Sequence, residues 1–365
     1  MKIRSKSFPS LPTALGFAVC VALFQSAHGQ DSNPAMNDPD RFVWQHLFVP
    51  INTSAGVGQN TIWETWASDE DTFPANPDPQ HPPAWPAAST ITMRLRPARQ
   101  LQLLDIERNR EAEDEAKLFN TAHILIAPRG DSEEVRRNRA TFDFIITNKL
   151  FYQQGLIAAF NQGKRISLPV QSIEVKANWK PITQADKPRY HWNNDASGKL
   201  FGLVALHIIS KDVPNWVWAT FEHVDNPNRC KTLGCKDSFG VTSDGKVSAE
   251  LVELFQSNGL GAEWQNYRLD GVQLDFTDST GITTFLGNSI TEDGFVASSS
   301  CITCHARSTV NATGGHLSVF APGQQSYNGT PDPKWFYAAM TPPKPAFLQL
   351  DFVWGFLAAR PASTP

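Results

Sequence analysis

The chain has 365 residues, with 32 Lys and Arg against 36 Asp and Glu. That acidic balance excludes the broad basic face a nucleic-acid partner requires. The length allows one large domain or two ordinary ones, and 11 Trp and 23 Phe offer ample apolar surface for a core.

The N-terminus reads as an export signal over residues 1–29. Lys2, Arg4 and Lys6 precede an apolar run from Ala14 to Phe24, and Ala27-His28-Gly29 supplies the small residues a signal peptidase reads. The run is far shorter than the roughly 20 residues needed to cross a bilayer, which favours a cleaved signal over a retained anchor. Val19, just before Cys20, is too bulky for lipoprotein processing. Cleavage after Gly29 leaves 29 basic residues against 36 acidic ones, a periplasmic chain near −7. No later segment is apolar enough to span a membrane.

Residues 30–100 read as an irregular, Pro- and Trp-rich region. Pro74, Pro77, Pro79, Pro82, Pro83 and Pro86 exclude helix and central strand there. The acidic run from Trp63 to Asp71 reads as a solvated loop rather than a cation site. Residues 101–287 are expected to combine helices with an antiparallel sheet. Helices are predicted over Leu104 to Phe119 and over Glu133 to Asn161, the second capped by Ser132 and broken at Gly155. From Gln171 the period becomes two. Ile173, Val175, Ala177 and Trp179 alternate with polar neighbours, Leu200 to Ile209 reads as a strand buried on both faces, and Trp216 to Val224 alternates again beyond a turn at 211–215. A short helix fits Ser248 to Phe255, and a hairpin is predicted from Gly271–Thr277 and Ile282–Leu286 around Asp278. The class is therefore α+β. Helices come first, an antiparallel sheet forms the core, and residues 288–365 pack on it without a Gly/Ser/Pro linker.

Four cysteines survive export, as two close pairs. Cys230 and Cys235 flank a loop-forming stretch and are expected to form a local disulfide, as the compartment favours. Cys301-Ile302-Thr303-Cys304-His305 is the attachment pattern for a single covalent haem c. On a helical turn, residues three apart face the same way, so both thiols reach one porphyrin edge and His305 becomes an axial iron ligand. The rivals are a redox dithiol, which lacks a thioredoxin-like context here, and a zinc site, for which only His316 stands nearby. Met340, on a loop braced by Pro342 and Pro343, is the candidate sixth ligand, and His223 is the runner-up. Met36 and Met93 lie far upstream. His207 reads as a hydrogen-bonded core residue, and His46, His81, His123 and His191 have no ligand-like company.

The stretch from about Ile173 to Phe356 resembles bacterial exported single-haem proteins grouped as cytochrome c family, or cytochrome c domain, proteins. The resemblance rests on Trp216–Asn226, Asn288–Glu292, Ser299–His305 and Leu350–Trp354, with Trp63–Ala67 as part of the same pattern. It implies haem binding and electron transfer to an unidentified redox partner, more than catalysis. The alternatives are a haem enzyme of peroxidase or oxygenase type, for which His223 with Glu222 is the available acid/base pair, and a haem-based sensor.

Overall fold

The computed structural model describes residues 33–87, 92–97, 132–318 and 326–362. The signal-like segment, the helix predicted over 104–119 and His123 lie outside the described residues. From Asn33 onward the chain forms one compact unit. It is α+β, as the periodicities imply.

The main sheet runs in the order β1 (Ala67–Ser68), β3 (Ser132–Arg137), β4 (Ile173–Pro181), β6 (Leu200–Ser210), β7 (Val217–His223) and β8 (Tyr267–Gln273). Two short strands flank this path, β2 (Arg96–Pro97) on β3 and β5 (Trp192–Asn194) on β6, and every pairing is antiparallel. Side chains alternate between faces along each strand. Val175, Ala177 and Trp179 of β4, Leu206 and Ile208 of β6, and Val217, Ala219 and Phe221 of β7 enter one core. The N-terminal helical turns between Pro34 and Ile51 cover that core with Trp44, Leu47 and Phe48, and the helix Ala249–Ser257 adds Leu251 and Phe255. Ile209 and Trp218 point the other way. They meet Ile145, Leu156, Ile302, Val310, Val353 and Phe356 in a second core. β6 is thus buried on both faces, and its uninterrupted apolar run is the signature of that position.

The N-terminal region is more ordered than its prolines suggest. Pro34 and Pro39 occupy first helical positions, where a missing N–H costs nothing, and Asn33 and Asp38 cap the turns through side-chain oxygens. From Pro74 to Ala87 there is neither helix nor strand. The acidic run is not a solvated loop. Glu64 is buried and 2.8 Å from His191 Nε2, while Asp69 pairs with the fully buried Arg137.

The predicted helix from Glu133 is a correction. Ser132–Arg137 is a strand, and the helices are Arg139–Thr147 and Gln153–Asn161. The cap is Asn138, whose Oδ1 accepts from Thr141 N at 3.1 Å, rather than Ser132. Four charges of β3 are buried but paired: Glu133 with Lys176, Glu134 with Arg136, and Arg137 with Glu174 and Asp69. Neutralised charges enter a core, so a pattern that treats them as surface residues misreads the strand. The break between the helices falls at Lys149, whose φ is 58°. Gly155 lies inside the second helix because a Cβ there would sit 1.7 Å from the Lys149 carbonyl oxygen. The predicted hairpin at 271–286 is likewise reduced. β8 pairs with β7, and only an isolated bridge joins Thr277 to Thr283.

Candidate functional site

Cys301–His305 forms a single helical turn against the second core. Its start is set by Gln273 at the end of β8. The Gln273 amide oxygen accepts from Ile302 N at 3.0 Å, satisfying one of the helix's free N–H groups, while Nε2 donates to Ser300 Oγ at 3.0 Å. Thr303 Oγ1 donates to Gly329 O at 2.7 Å. The turn is thereby pinned on both sides, and its two thiols share one face.

The C-terminal segment closes over this turn. β9 (Thr309–Val310) pairs with β12 (Leu348–Gln349), Leu350 N donates to Ser308 O at 2.8 Å, and Ser308 Oγ donates to Val353 O at 2.6 Å. Asp351 and Phe352 follow, with φ of 50° and 69°. Non-glycine residues in this region cost of order 1 kcal/mol or more each and persist only where surrounding contacts over-determine them. Here the Asp351 carboxylate does so, accepting from Leu168 N at 2.7 Å and from Lys211 Nζ at 2.5 Å. The result is a carbonyl aimed at the motif. His305 Nδ1 donates to Phe352 O at 2.8 Å, across 47 residues of sequence. With the proton held on Nδ1, Nε2 keeps its lone pair, which is the usual orientation of a metal-binding imidazole.

The surroundings are aromatic. Trp218 lies 4.6 Å from the His305 ring and Trp354 6.2 Å, and Phe352 packs 5.9 Å from Trp218. Burial brings the His305 pKa down to about 4, with the Phe352 hydrogen bond opposing and the Lys176 ammonium assisting. The imidazole is neutral at neutral pH. Burial pushes the Cys301 thiol well above its ordinary range and the Cys304 thiol up to about 12, with the Glu292 carboxylate adding to both.

The other candidates lie elsewhere. Met340 is 50 % exposed on the hairpin of β10 (Tyr337–Met340) and β11 (Pro343–Pro345), opposite Pro343. His223 is stacked on Tyr190, with ring centroids 3.8 Å apart, and packs against Tyr267 of the first core. Its Nε2 donates to Arg189 O and its Nδ1 accepts from Asp225 N, so both nitrogens are occupied. Glu222 is likewise engaged, accepting from Ser289 N, Ser289 Oγ and Asn226 Nδ2. His316 is buried against Thr309 O.

His207 is a hydrogen-bonded interior residue, as its strand implied. Its Nε2 lies 3.0 Å from Asn288 Nδ2 and 3.5 Å from Glu292 Oε1. Burial lowers its pKa to about 3, with the Lys176 ammonium acting in the same direction. Burial also pushes the Glu292 carboxyl up to about 7. The turn that carries these partners is set by Asn288, whose Oδ1 accepts from Ile290 N and Thr291 N. Among the described residues, no single stretch of sequence joins Phe352, Trp218 and His207 to the motif. The clue available for the first two was their position within Leu350–Trp354 and Trp216–Asn226.

Cys230 and Cys235 are joined as a disulfide, with Cα atoms 4.9 Å apart. Asp270 Oδ1 lies 3.2 Å from Cys235 Sγ and 3.0 Å from Arg229 Nε. These two cysteines and Asp270 form a compact trio of potential donors, but the sulfurs are bonded to each other and the Arg229 cation is already in place.

Among the described residues, no helix is long and apolar enough to cross a membrane. A scan against protein-family models and searches of curated proteins and of solved structures return no match to this chain.

Proposed function

We propose that this chain is an exported, periplasmic c-type cytochrome that holds one haem through Cys301 and Cys304, uses His305 as an axial ligand, and transfers electrons to and from a redox partner protein. The observation that carries this reading is the His305 Nδ1 bond to Phe352 O beside two thiols on one helical turn. The carbonyl satisfies the buried N–H, as any buried histidine requires. For a ligand it fixes both tautomer and ring direction.

The donor set fits the group. Each thiol adds its S–H across one vinyl double bond, giving a thioether. When bound, the haem supplies one-electron cycling between ferrous and ferric iron. The chain's own part is to orient the imidazole and to exclude water with Trp218, Phe352 and Trp354. The resemblance to exported single-haem proteins and the signal-like N-terminus point the same way, since haem c is attached outside the cytoplasm.

Expressed in a periplasm with a haem-attachment system, the protein is expected to keep haem stain on a denaturing gel. Cys301→Ser and Cys304→Ser are each expected to weaken the bond to the chain, and the double variant to lose the stain. An unstained wild-type band from such cells would refute the reading.

A further inference from the structure

We propose that Cys230–Cys235 is a site of thiol–disulfide exchange, reduced by an external dithiol that attacks Cys230, with Asp270 delivering a proton to the departing Cys235 sulfur. This activity goes beyond the haem reading and uses none of its residues. Access is the first support. Both cysteines are half-buried, and Lys231, Thr232, Gly234 and Lys236 around them are exposed, so a reagent meets the bridge without unfolding the chain. Arg229, Lys231 and Lys236 flank the two cysteines and attract a thiolate, the attacking form. Cys230 itself has a φ of 58°, a costly conformation for a non-glycine residue. Opening the bridge allows that residue to relax.

The acid lies beneath the bridge. Asp270 of β8 is 6 % exposed, and its Oδ1 is 3.2 Å from Cys235 Sγ. Among the described residues no donor reaches Oδ2, and Arg229 Nε, 3.0 Å from Oδ1, makes no hydrogen bond there. Glu222 of β7, by contrast, accepts from Ser289 N, Ser289 Oγ and Asn226 Nδ2. Of two neighbouring buried carboxyls, the one rich in donors carries the charge and the one without them keeps a proton. Burial and then the Glu222 charge hold the Asp270 pKa well above its ordinary value, with Arg229 opposing. Lys236 meets Asp270 through the backbone, its N donating to Asp270 O at 2.9 Å. A cavity of about 10 Å³, room for roughly one water molecule, is lined by Glu222, Cys230, Lys231, Asp270 and Ser289. It gives a spent proton a way back from solvent.

The exchange takes two steps. A reagent thiolate attacks Cys230 Sγ, the S–S bond breaks, and its electron pair passes to Cys235 Sγ, which takes the Asp270 proton. The reagent's second thiolate then attacks the reagent sulfur of the mixed disulfide. The electron pair of that bond passes to Cys230 Sγ, which is protonated from solvent. The reagent leaves as a disulfide, having given two electrons, and Asp270 recovers its proton from water. Its transient carboxylate lies 3.0 Å from Arg229 Nε, whose charge offsets it.

The test follows reduction of the bridge by dithiothreitol in the folded full chain at several pH values. Alkylation with mass mapping separates Cys230 and Cys235 from Cys301 and Cys304. Each rate is divided by the concentration of reagent thiolate, which leaves the protein's own pH dependence. Wild-type reduction is expected to outpace global unfolding, measured by circular dichroism. Its thiolate-specific rate is expected to fall as pH rises through the raised Asp270 pKa, because the acid acts only while protonated. Asp270→Asn is expected to be about 100-fold slower at the acidic end, the lower range for a positioned general acid, and to lose the pH dependence. Reduction no faster than unfolding, or a wild-type thiolate-specific rate that does not fall with pH, would overturn the proposal and leave the bridge a structural staple. An Asp270→Asn rate equal to the wild type's would overturn it too. The wild-type profile decides even if Asp270→Asn fails to fold.

Discussion

Two carboxylates that meet out of water cannot both keep their charge cheaply. Asp270 lies in β8 beside Glu222 of β7. Burial, and then the Glu222 charge, raise its pKa well above 3.8, against the opposing pull of Arg229. The sign of the pH effect follows. A raised carboxyl pKa means the folded protein keeps a proton that the unfolded chain releases. The resulting contribution to stability is fully present below the ordinary value and is lost as pH rises through the raised one. Asp270→Asn has no proton to release. Its urea midpoint, relative to the wild type, is expected to rise progressively as pH increases above the ordinary carboxyl range, whereas a pH-independent difference would show that Asp270 ionises normally. At this scale the helical turn that groups Cys301, Cys304 and His305 was legible, because residues three and four apart share one face. The partner of His305 was not. Phe352 contributes a backbone oxygen, which any residue type carries, and its left-handed conformation leaves no mark in a phenylalanine. The contact between His207 and Asn288 was hidden as well, since the two lie 81 residues apart in sequence.

The strands read correctly are those with an apolar alternation or run, even where Glu174, Asn178 and Glu222 within them are buried. β4, β6 and β7 follow from alternation and from a continuous apolar run, and the helix expected over Ser248 to Phe255 is found at Ala249–Ser257. β3 failed because its four charges are neutralised inside, and the short β12 lacks the length to show a period. The loop between β7 and β8 carries a staple of its own. The Cys230–Cys235 bridge closes a ring of few residues, which on the chain-entropy account stabilises by about 2 kcal/mol. The paired Cys230→Ser/Cys235→Ser variant is expected to lose about that much in urea unfolding, and the wild type to resist alkylation until reduced. Ready alkylation of both cysteines without reductant would rule the bridge out.

One sheet separates two hydrophobic cores, and β6 contributes to both. Leu206 and Ile208 are buried on one side, Ile209 on the other. Loss of either core strips β6 of half its burial, so the halves are expected to unfold together. Trp44, Trp63 and Trp179 report on the first core and Trp216 and Trp218 on the second. Tryptophan fluorescence and far-ultraviolet circular dichroism are therefore expected to give coincident urea transitions; two separated transitions would show that the cores are independent. The clasp between His305 and Phe352 has a further consequence for biogenesis. On the proposed reading the polypeptide is made and exported from its N-terminus, so the attachment motif reaches the periplasm before the residues that orient its histidine. During that interval the motif is an open, pliable segment, accessible to an enzyme that must handle both thiols and a bulky porphyrin. Arrival of Leu350–Trp354 then converts a substrate of the attachment machinery into a finished electron carrier. On the proposed reading, the order of residues along the chain is also the order of assembly: attach first, then lock.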